Sequence, residues 1–247
     1  MKYRLITCEV FFREMCYAIS QSPHQIDVRF LPKGLHDIGA KPMSERIQAV
    51  LDEETPQEYD AVLFGYGLCN NGLVGLTARK TPVVIPRAHD CITLFLGSKE
   101  RYMEYFNSHQ GVYFETTGWL ERGEGAGELS QLSIQRQIGM DMQYEELVRK
   151  YGEDNAKYLW ETLCDTTHNY GQYTFIEMGI EPNDSFERMT KEKADEKGWT
   201  FEKIQGDMRL IWKLVNGEWD ENEFLILQPG QRVTASYGED IIRAESE

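Results

Sequence analysis

Three of the five cysteines stand where a strand should give way to a helix: Cys8 in KYRLITCEVFFREM, Cys69 in AVLFGYGLCNNGLVGL and Cys91 in TPVVIPRAHDCITLFLGS. In open α/β sheets, ligands bind at the carboxyl ends of the strands. Thiols delivered there from three distant parts of the chain would converge on one spot. Three sulfurs are a fitting ligand set for zinc or, alternatively, for an iron–sulfur cluster held by three cysteines. No CxxC occurs, so a zinc ribbon or finger is excluded. Any such site must be assembled by the tertiary fold.

The surroundings of each cysteine add candidates. Gly65, Gly67, Gly72 and Gly75 flank Cys69. A glycine-rich turn between a strand and a helix presents free N–H groups to an anion, which brings in Asn70, Asn71 and Gly72 as substrate-binding residues. The glycine spacing matches neither a dinucleotide fingerprint nor a Walker loop, and a plain tight turn is the alternative. Cys91 forms an H-x-C pair with His89, suited to a borderline ion such as zinc. The same cysteine at a helix N-terminus reads equally as an activated thiolate, its pKa lowered by the macrodipole and by His89. A buried, inert cysteine is the plain reading. Asp90 is expected to cap the following helix and, with His36 and His89, completes the candidate catalytic groups. His36, in LPKGLHDIG, offers a fourth ligand or a general base. Arg87 and Trp119 are candidates for contacting a substrate, with Tyr113 beside Trp119 as a wall. Cys16 lies inside an amphipathic helix and is expected to be packed. Cys164 has His168 four residues on, a ligand pair only if the helix continues.

These residues need a frame to hold them. Strands are expected at Tyr3–Thr7, Ile26–Leu31, Ala61–Phe64, Pro82–Ile85 and Val112–Glu115. Helices are expected at Val10–Ser20, Ser44–Leu51 (Ser44 as N-cap), Leu73–Ala78 and Ile92–Phe106. Strands alternating with helices predict a doubly wound, mainly parallel α/β sheet, a Rossmann-like domain over residues 1–120 with strand order 2-1-3-4-5. Glu121–Glu128 reads as a loop or hinge, and Asp141–Leu163 as one or two helices. Residues 121–247 then predict a second helical and α/β lobe over the carboxyl edge. Its elements are strands at Tyr173–Met178, Phe201–Ile204 and Phe224–Gln228, helices at Ser185–Lys197 and Asp207–Val215, and a loose tail after Tyr237. A single sheet extended by the later strands is the alternative.

The bulk numbers narrow the function classes. With 26 Lys and Arg against 41 Asp and Glu, the formal charge is −15. A nucleic-acid partner is disfavoured, because phosphate neutralisation needs a basic face. No apolar run reaches the roughly 18 residues of a membrane span. The N-terminus shows no signal-peptide pattern, so a cytoplasmic location is expected, where disulfides are improbable.

The segments YGLCNNGLVGL and PRAHDCITLFLGS, with LPKGLHDIG before them and GVYFETTGWLE after them, resemble the domain of unknown function 1638 family over most of the chain. The family's motif positions fall on Cys69, Asn71 and Gly72, then on Pro86, Arg87, His89, Asp90 and Cys91. The resemblance implies a setting in anaerobic one-carbon metabolism, with a corrinoid protein or a corrinoid-dependent methyltransferase as partner. It carries no assigned catalytic residue. A looser chemical similarity links His89, Cys91 and Cys164 to zinc enzymes that methylate thiols from a corrinoid. The expected function is therefore a zinc–thiolate protein acting on a small molecule, by thiol activation or methyl transfer. Its alternatives are a non-catalytic accessory protein of such a system, and a metal-free cysteine enzyme.

Overall fold

A computed structural model describes residues 1–53, 58–123, 127–164 and 167–246. Two short segments carry the most apolar runs, β3 (Ala61–Gly65) and β4 (Val83–Pro86), and every residue of both is buried. Strands covered on both faces belong inside a parallel sheet. β1 (Lys2–Cys8) pairs in parallel with β3 on one side and with β2 (Gln25–Leu31) on the other. β2 is the edge and is correspondingly half exposed.

The fifth position differs from expectation. Val112–Glu115, expected beside β4, forms β5 of a separate parallel sheet, with β6 (Gln172–Glu177) in the middle and β7 (Thr200–Gln205) beyond it. The place beside β4 is taken by β8 (Phe224–Leu227), which runs antiparallel. The first sheet thus reads β2-β1-β3-β4-β8, a mixed α/β arrangement that is mostly parallel. The helix before β8, Arg209–Asn216, is amphipathic and packs on the helix Phe12–Gln21 that follows β1, with Trp212 edge-on to Tyr17 at 5.6 Å.

Four local expectations are corrected. The helix expected from Ser44 begins at Ala40, and Ser44 Oγ instead donates to the Val74 carbonyl at 2.9 Å. Leu73–Ala78 is not helical: residues 73–75 continue a turn, and the chain is extended only from Leu76. Its backbone pairs with the C-terminal segment through Gly75 N to Val233 O (2.9 Å), Val233 N to Leu76 O (2.8 Å) and Ala78 N to Gln231 O (2.9 Å). The helix expected over Ile92–Phe106 is broken into Cys91–Leu96 and Lys99–Ser108 at Gly97, where φ is +78°, and Ser98 caps the second piece. The tail is not loose: Ile242–Ser246 pairs antiparallel with Gln231–Ala235. The loop expected at 121–128 falls partly on 124–126, outside the described residues. No helix among the described residues is long and apolar enough to cross a membrane.

Glu14, on the helix after β1, is 1% exposed and its Oε2 has no partner among the described residues. Burial, with the charges of Glu181 and Glu121 adding, raises its carboxyl from 4.5 to about 7. The folded chain therefore keeps a proton that the unfolded chain releases at about 4.5. The associated stability is full below that pH and is lost as pH rises through 7, about 3 kcal/mol at about 1.4 kcal/mol per unit. Glu14→Gln should remove this slope and be more stable than the parent at pH 8, as read by urea unfolding at pH 5 and 8. A variant destabilised equally at both pH values would contradict the assignment.

A thiol site at the carboxyl edge

The site is built by a continuation of strand pairing past the strand ends. Beyond β3 and β4, Leu68 N donates to Ala88 O at 2.8 Å and Cys69 N to His89 O at 3.0 Å. The two segments touch at Gly67, where a Cβ would stand 2.6 Å from the Asp90 Cα. The chain then makes a left-handed turn, with φ of 37°, 55° and 60° at Cys69, Asn70 and Asn71, closed by Gly72 N to Cys69 O at 2.9 Å. Left-handed backbone costs about 1–2 kcal/mol per ordinary residue, and asparagine tolerates it best. On the β4 side, Asp90 caps the helix that starts at Cys91, accepting from Ile92 N at 2.9 Å and Thr93 N at 3.4 Å, and Tyr102 Oη donates to its other oxygen at 3.0 Å.

Cys8, Cys69 and Cys91 are all buried and unbridged. They lie within electrostatic reach of one another, since the charge of Cys8 opposes ionisation of Cys69, and those of Cys69 and Cys8 oppose ionisation of Cys91. Burial is the largest effect and pushes Cys8 up to about 12, with Cys69 and Cys91 also well above an ordinary thiol. N–H groups act in the opposite sense at every sulfur. Cys8 has the amides of Val10 and Glu9, Cys69 those of Cys91 and Gly67, and Cys91 the Trp119 indole. The expectation of a lowered pKa at Cys91 is therefore corrected: in this dry site, desolvation outweighs the helix terminus. His36 Nε2 lies 3.6 Å from Cys8 Sγ. Burial first, and then the charge of Lys33, lowers the His36 pKa to about 4, so its imidazole is neutral at physiological pH. Among the described residues, no three His, Cys, Asp or Glu side chains are arranged around a metal position.

A cleft of about 1410 Å³ opens over this edge. Cys69, Cys91, His36, Asp90 and Trp119 line one end, and Tyr113, Glu115 and Tyr173 of the second sheet line another part. Trp119 is set by Thr116, whose Oγ accepts from its amide at 3.4 Å, and by Lys33, whose Nζ lies 4.9 Å from the ring centroid. Of the expected substrate contacts, Asn70 and Trp119 line the cleft. Asn70 also donates to His36 O at 3.3 Å. Arg87 has a structural task. Its guanidinium donates to the carbonyls of Glu221 (2.8 Å), Asp240 (2.9 Å) and Ile242, pinning the C-terminal segments. Gly72 lets Met43 approach from Ala40–Asp52, and Asn71 closes the turn through its carbonyl to Val74 N at 3.0 Å. His89 is exposed and stacks on Tyr102 at 5.6 Å. Cys16, expected to be packed, is exposed, because its helix turns that position away from the sheet. Cys164 donates to Gly139 O at 3.8 Å, and the path from it to His168 crosses 165–166, outside the described residues.

Three further groups come from the structure. Lys33 is buried and donates to Gly123 O. Glu115 is buried at the cleft and accepts from Thr190 Oγ and Lys193 Nζ, both at 2.7 Å. Tyr66 is buried, and its hydroxyl has no partner among the described residues. The only sequence signal for Tyr66 is its place in the GYG turn after β3.

The family model described as "Protein of unknown function (DUF1638)" matches residues 30–215. No curated protein and no solved structure matches the chain.

In the metal-free protein, Cys8 should alkylate roughly 1000-fold more slowly than an unperturbed thiol, the effect of three pH units on its thiolate fraction. Cys16 should react first. Timed iodoacetamide labelling followed by peptide mass mapping reads the order, and equal rates at Cys8 and Cys16 would contradict the burial effect.

Proposed function

The chain belongs to the DUF1638 family, and from that premise we propose that it is a zinc–thiolate protein, with Cys8, Cys69 and Cys91 as ligands and a small-molecule substrate in the cleft above them. What supports this reading is the burial of three unbridged cysteines, Cys8, Cys69 and Cys91, at one edge of the sheet, with His36 Nε2 3.6 Å from Cys8 Sγ. A bound cation would reverse the balance that now keeps the thiols protonated. The donor types also fit, since soft sulfurs and a neutral imidazole suit zinc. His36 is the candidate fourth ligand or base. Bound zinc would supply Lewis acidity toward a thiol or water in an open position.

The chain's own groups then have separable tasks. The left-handed turn and the Asp90 cap fix the Cys69 and Cys91 backbones. Trp119 and Lys33 close one side of the cleft to water. His36 takes up or releases a proton beside Cys8. Methyl transfer between a thiol and a corrinoid partner is the reaction class that the family resemblance favours. One observation favours a second reading. The three sulfurs are not already disposed around a metal position, which suits a metal-free pocket on an accessory protein.

Metal analysis of anaerobically purified protein separates the readings. About one zinc per chain is expected, falling at least tenfold in Cys8→Ser, Cys69→Ser and Cys91→Ser and unchanged in Cys16→Ser. A brown protein containing iron and sulfide would replace zinc by a cluster. Metal-free protein retaining partner or ligand binding after chelation would move the assignment to the accessory reading.

A further inference from the structure

The helix Lys99–Ser108 has no fully buried residue, yet it carries an aromatic stripe. Tyr102, Tyr105, Phe106 and His109 follow one another at spacings of three and four, the pattern that ordinarily turns one helical face into a core. Here all four line the cleft, with His89 beside them. The stripe joins the two ends of the cleft. Tyr102 Oη donates at 3.0 Å to Asp90, the cap of the helix that begins at Cys91. Tyr105 Oη bonds Glu202 at 2.6 Å and Thr174 at 2.8 Å, both on the second sheet.

The rings share an orientation. His89, Tyr102 and Phe106 follow one another with centroids 5.6 and 6.1 Å apart and planes only 26° and 10° apart. Tyr105 and His109 lie 4.1 Å apart with planes 8° apart. The bonded phenols hold Tyr102 and Tyr105 in this attitude before any ligand arrives, which removes part of the ordering cost of binding. Phe106 ends the first row and is 58% exposed. A single exposed apolar residue needs no explanation. One that ends an aligned row of rings inside a cleft offers a face to a guest.

We propose that the cleft takes a ligand bearing a flat, conjugated ring, which lies on the Tyr102–Phe106 row and points its other end toward Cys91. This rests on the reading of the cleft as the place of a small-molecule substrate, names the class of that substrate, and requires no metal. Rings of one tilt extend their stack to another flat ring, whereas an aliphatic guest gains nothing from the alignment. A broad protein surface does not reach a row set within a cleft, which argues against a second copy of the chain as its cover.

Stacking tolerates many rings, because each has a π-face. The test therefore uses chelator-treated protein and three flat probes, adenosine, indole and lumiflavin, with cyclohexanol as the non-flat comparison. Calorimetry gives the dissociation constants, and NMR reads ring-current shifts of the probe protons. At least one flat probe should bind the parent saturably with upfield-shifted protons, and cyclohexanol should not bind. Phe106→Ala and Phe106→Leu should each weaken that probe about 5- to 100-fold, the range that one stacked ring is worth, and Phe106→Tyr should restore it. Because Phe106 is exposed, all three variants should keep the parent's Tm. Full affinity in Phe106→Leu, or equal binding of cyclohexanol, would show that apolar bulk suffices and would overturn the flat-ring assignment while leaving the cleft as a small-molecule site. Failure of every flat probe to bind would overturn the proposal and leave the cysteine reading to its own metal analysis. A parent dimer that Phe106→Ala dissociates would show that a second copy covers the row, and would overturn the proposal as well.

Discussion

Two backbone hydrogen bonds hold the site together: Leu68 N to Ala88 O and Cys69 N to His89 O. They carry the β3–β4 pairing past the ends of the strands, into segments that would otherwise be free loops. Each contributes only about 1 kcal/mol net, but leaving such a buried group unpaired costs more. Cys69 and Cys91 share a wall because these bonds fix one segment against the other. Gly67 permits the approach, since any Cβ there would meet the Asp90 backbone. From the opposite side, Arg87 N bonds Glu223 O at 2.7 Å and the Arg87 side chain gathers three further carbonyls. The segment bearing His89, Asp90 and Cys91 is thus clamped between β3 and the C-terminal part of the chain. This explains why a strand from far along the sequence, β8, belongs in the first sheet.

Burial then decides the chemistry of the empty site. Three thiols within electrostatic reach of each other in a dry pocket cannot all ionise, because desolvation and mutual repulsion add. The N–H donors offset part of this, not all of it, so the thiols stay protonated. The low polarity that suppresses ionisation also strengthens attraction to any cation that enters. His36 obeys the same rule with the opposite charge type: burial and Lys33 keep it neutral, its second nitrogen lone pair intact. Three protonated thiols and a neutral imidazole leave the empty pocket without a charge of its own at neutral pH.

What the sequence disclosed follows from how local each signal was. The buried runs of β3 and β4, the Asp90 cap and the placing of three cysteines at strand ends all depend on neighbours a few residues away, and the structure has them. The second-sheet location of β5 depends on which distant strand it pairs with, and nothing in VYFE distinguishes β4 from β6 as a partner. Leu73–Ala78 has a helix-like pattern, but its backbone found a better partner at 231–233, some 150 residues on. Arg87 sits inside the most chemically suggestive motif, yet its donors are spent on carbonyls from the end of the chain. Cys16 was misplaced by the phase of one helix. Tyr66 could not have been singled out, because an orphan hydroxyl is visible only once every neighbour is in place.

The distribution of satisfied and unsatisfied groups around the cleft separates its two ends. At the second sheet, Glu115 is fully engaged by Thr190 and Lys193, and Tyr105 Oη is bonded to Glu202 at 2.6 Å and to Thr174 at 2.8 Å. That wall is complete as it stands and presents shape and aromatic surface. At the first sheet, the backbone runs left-handed through three non-glycine residues, and the Tyr66 hydroxyl has no hydrogen-bond partner among the described residues. Strain of this kind persists only where the surroundings over-determine it, and it gathers at sites with a task. The second sheet is therefore a finished wall, and the groups left unsatisfied by the described residues lie at the carboxyl edge of the first.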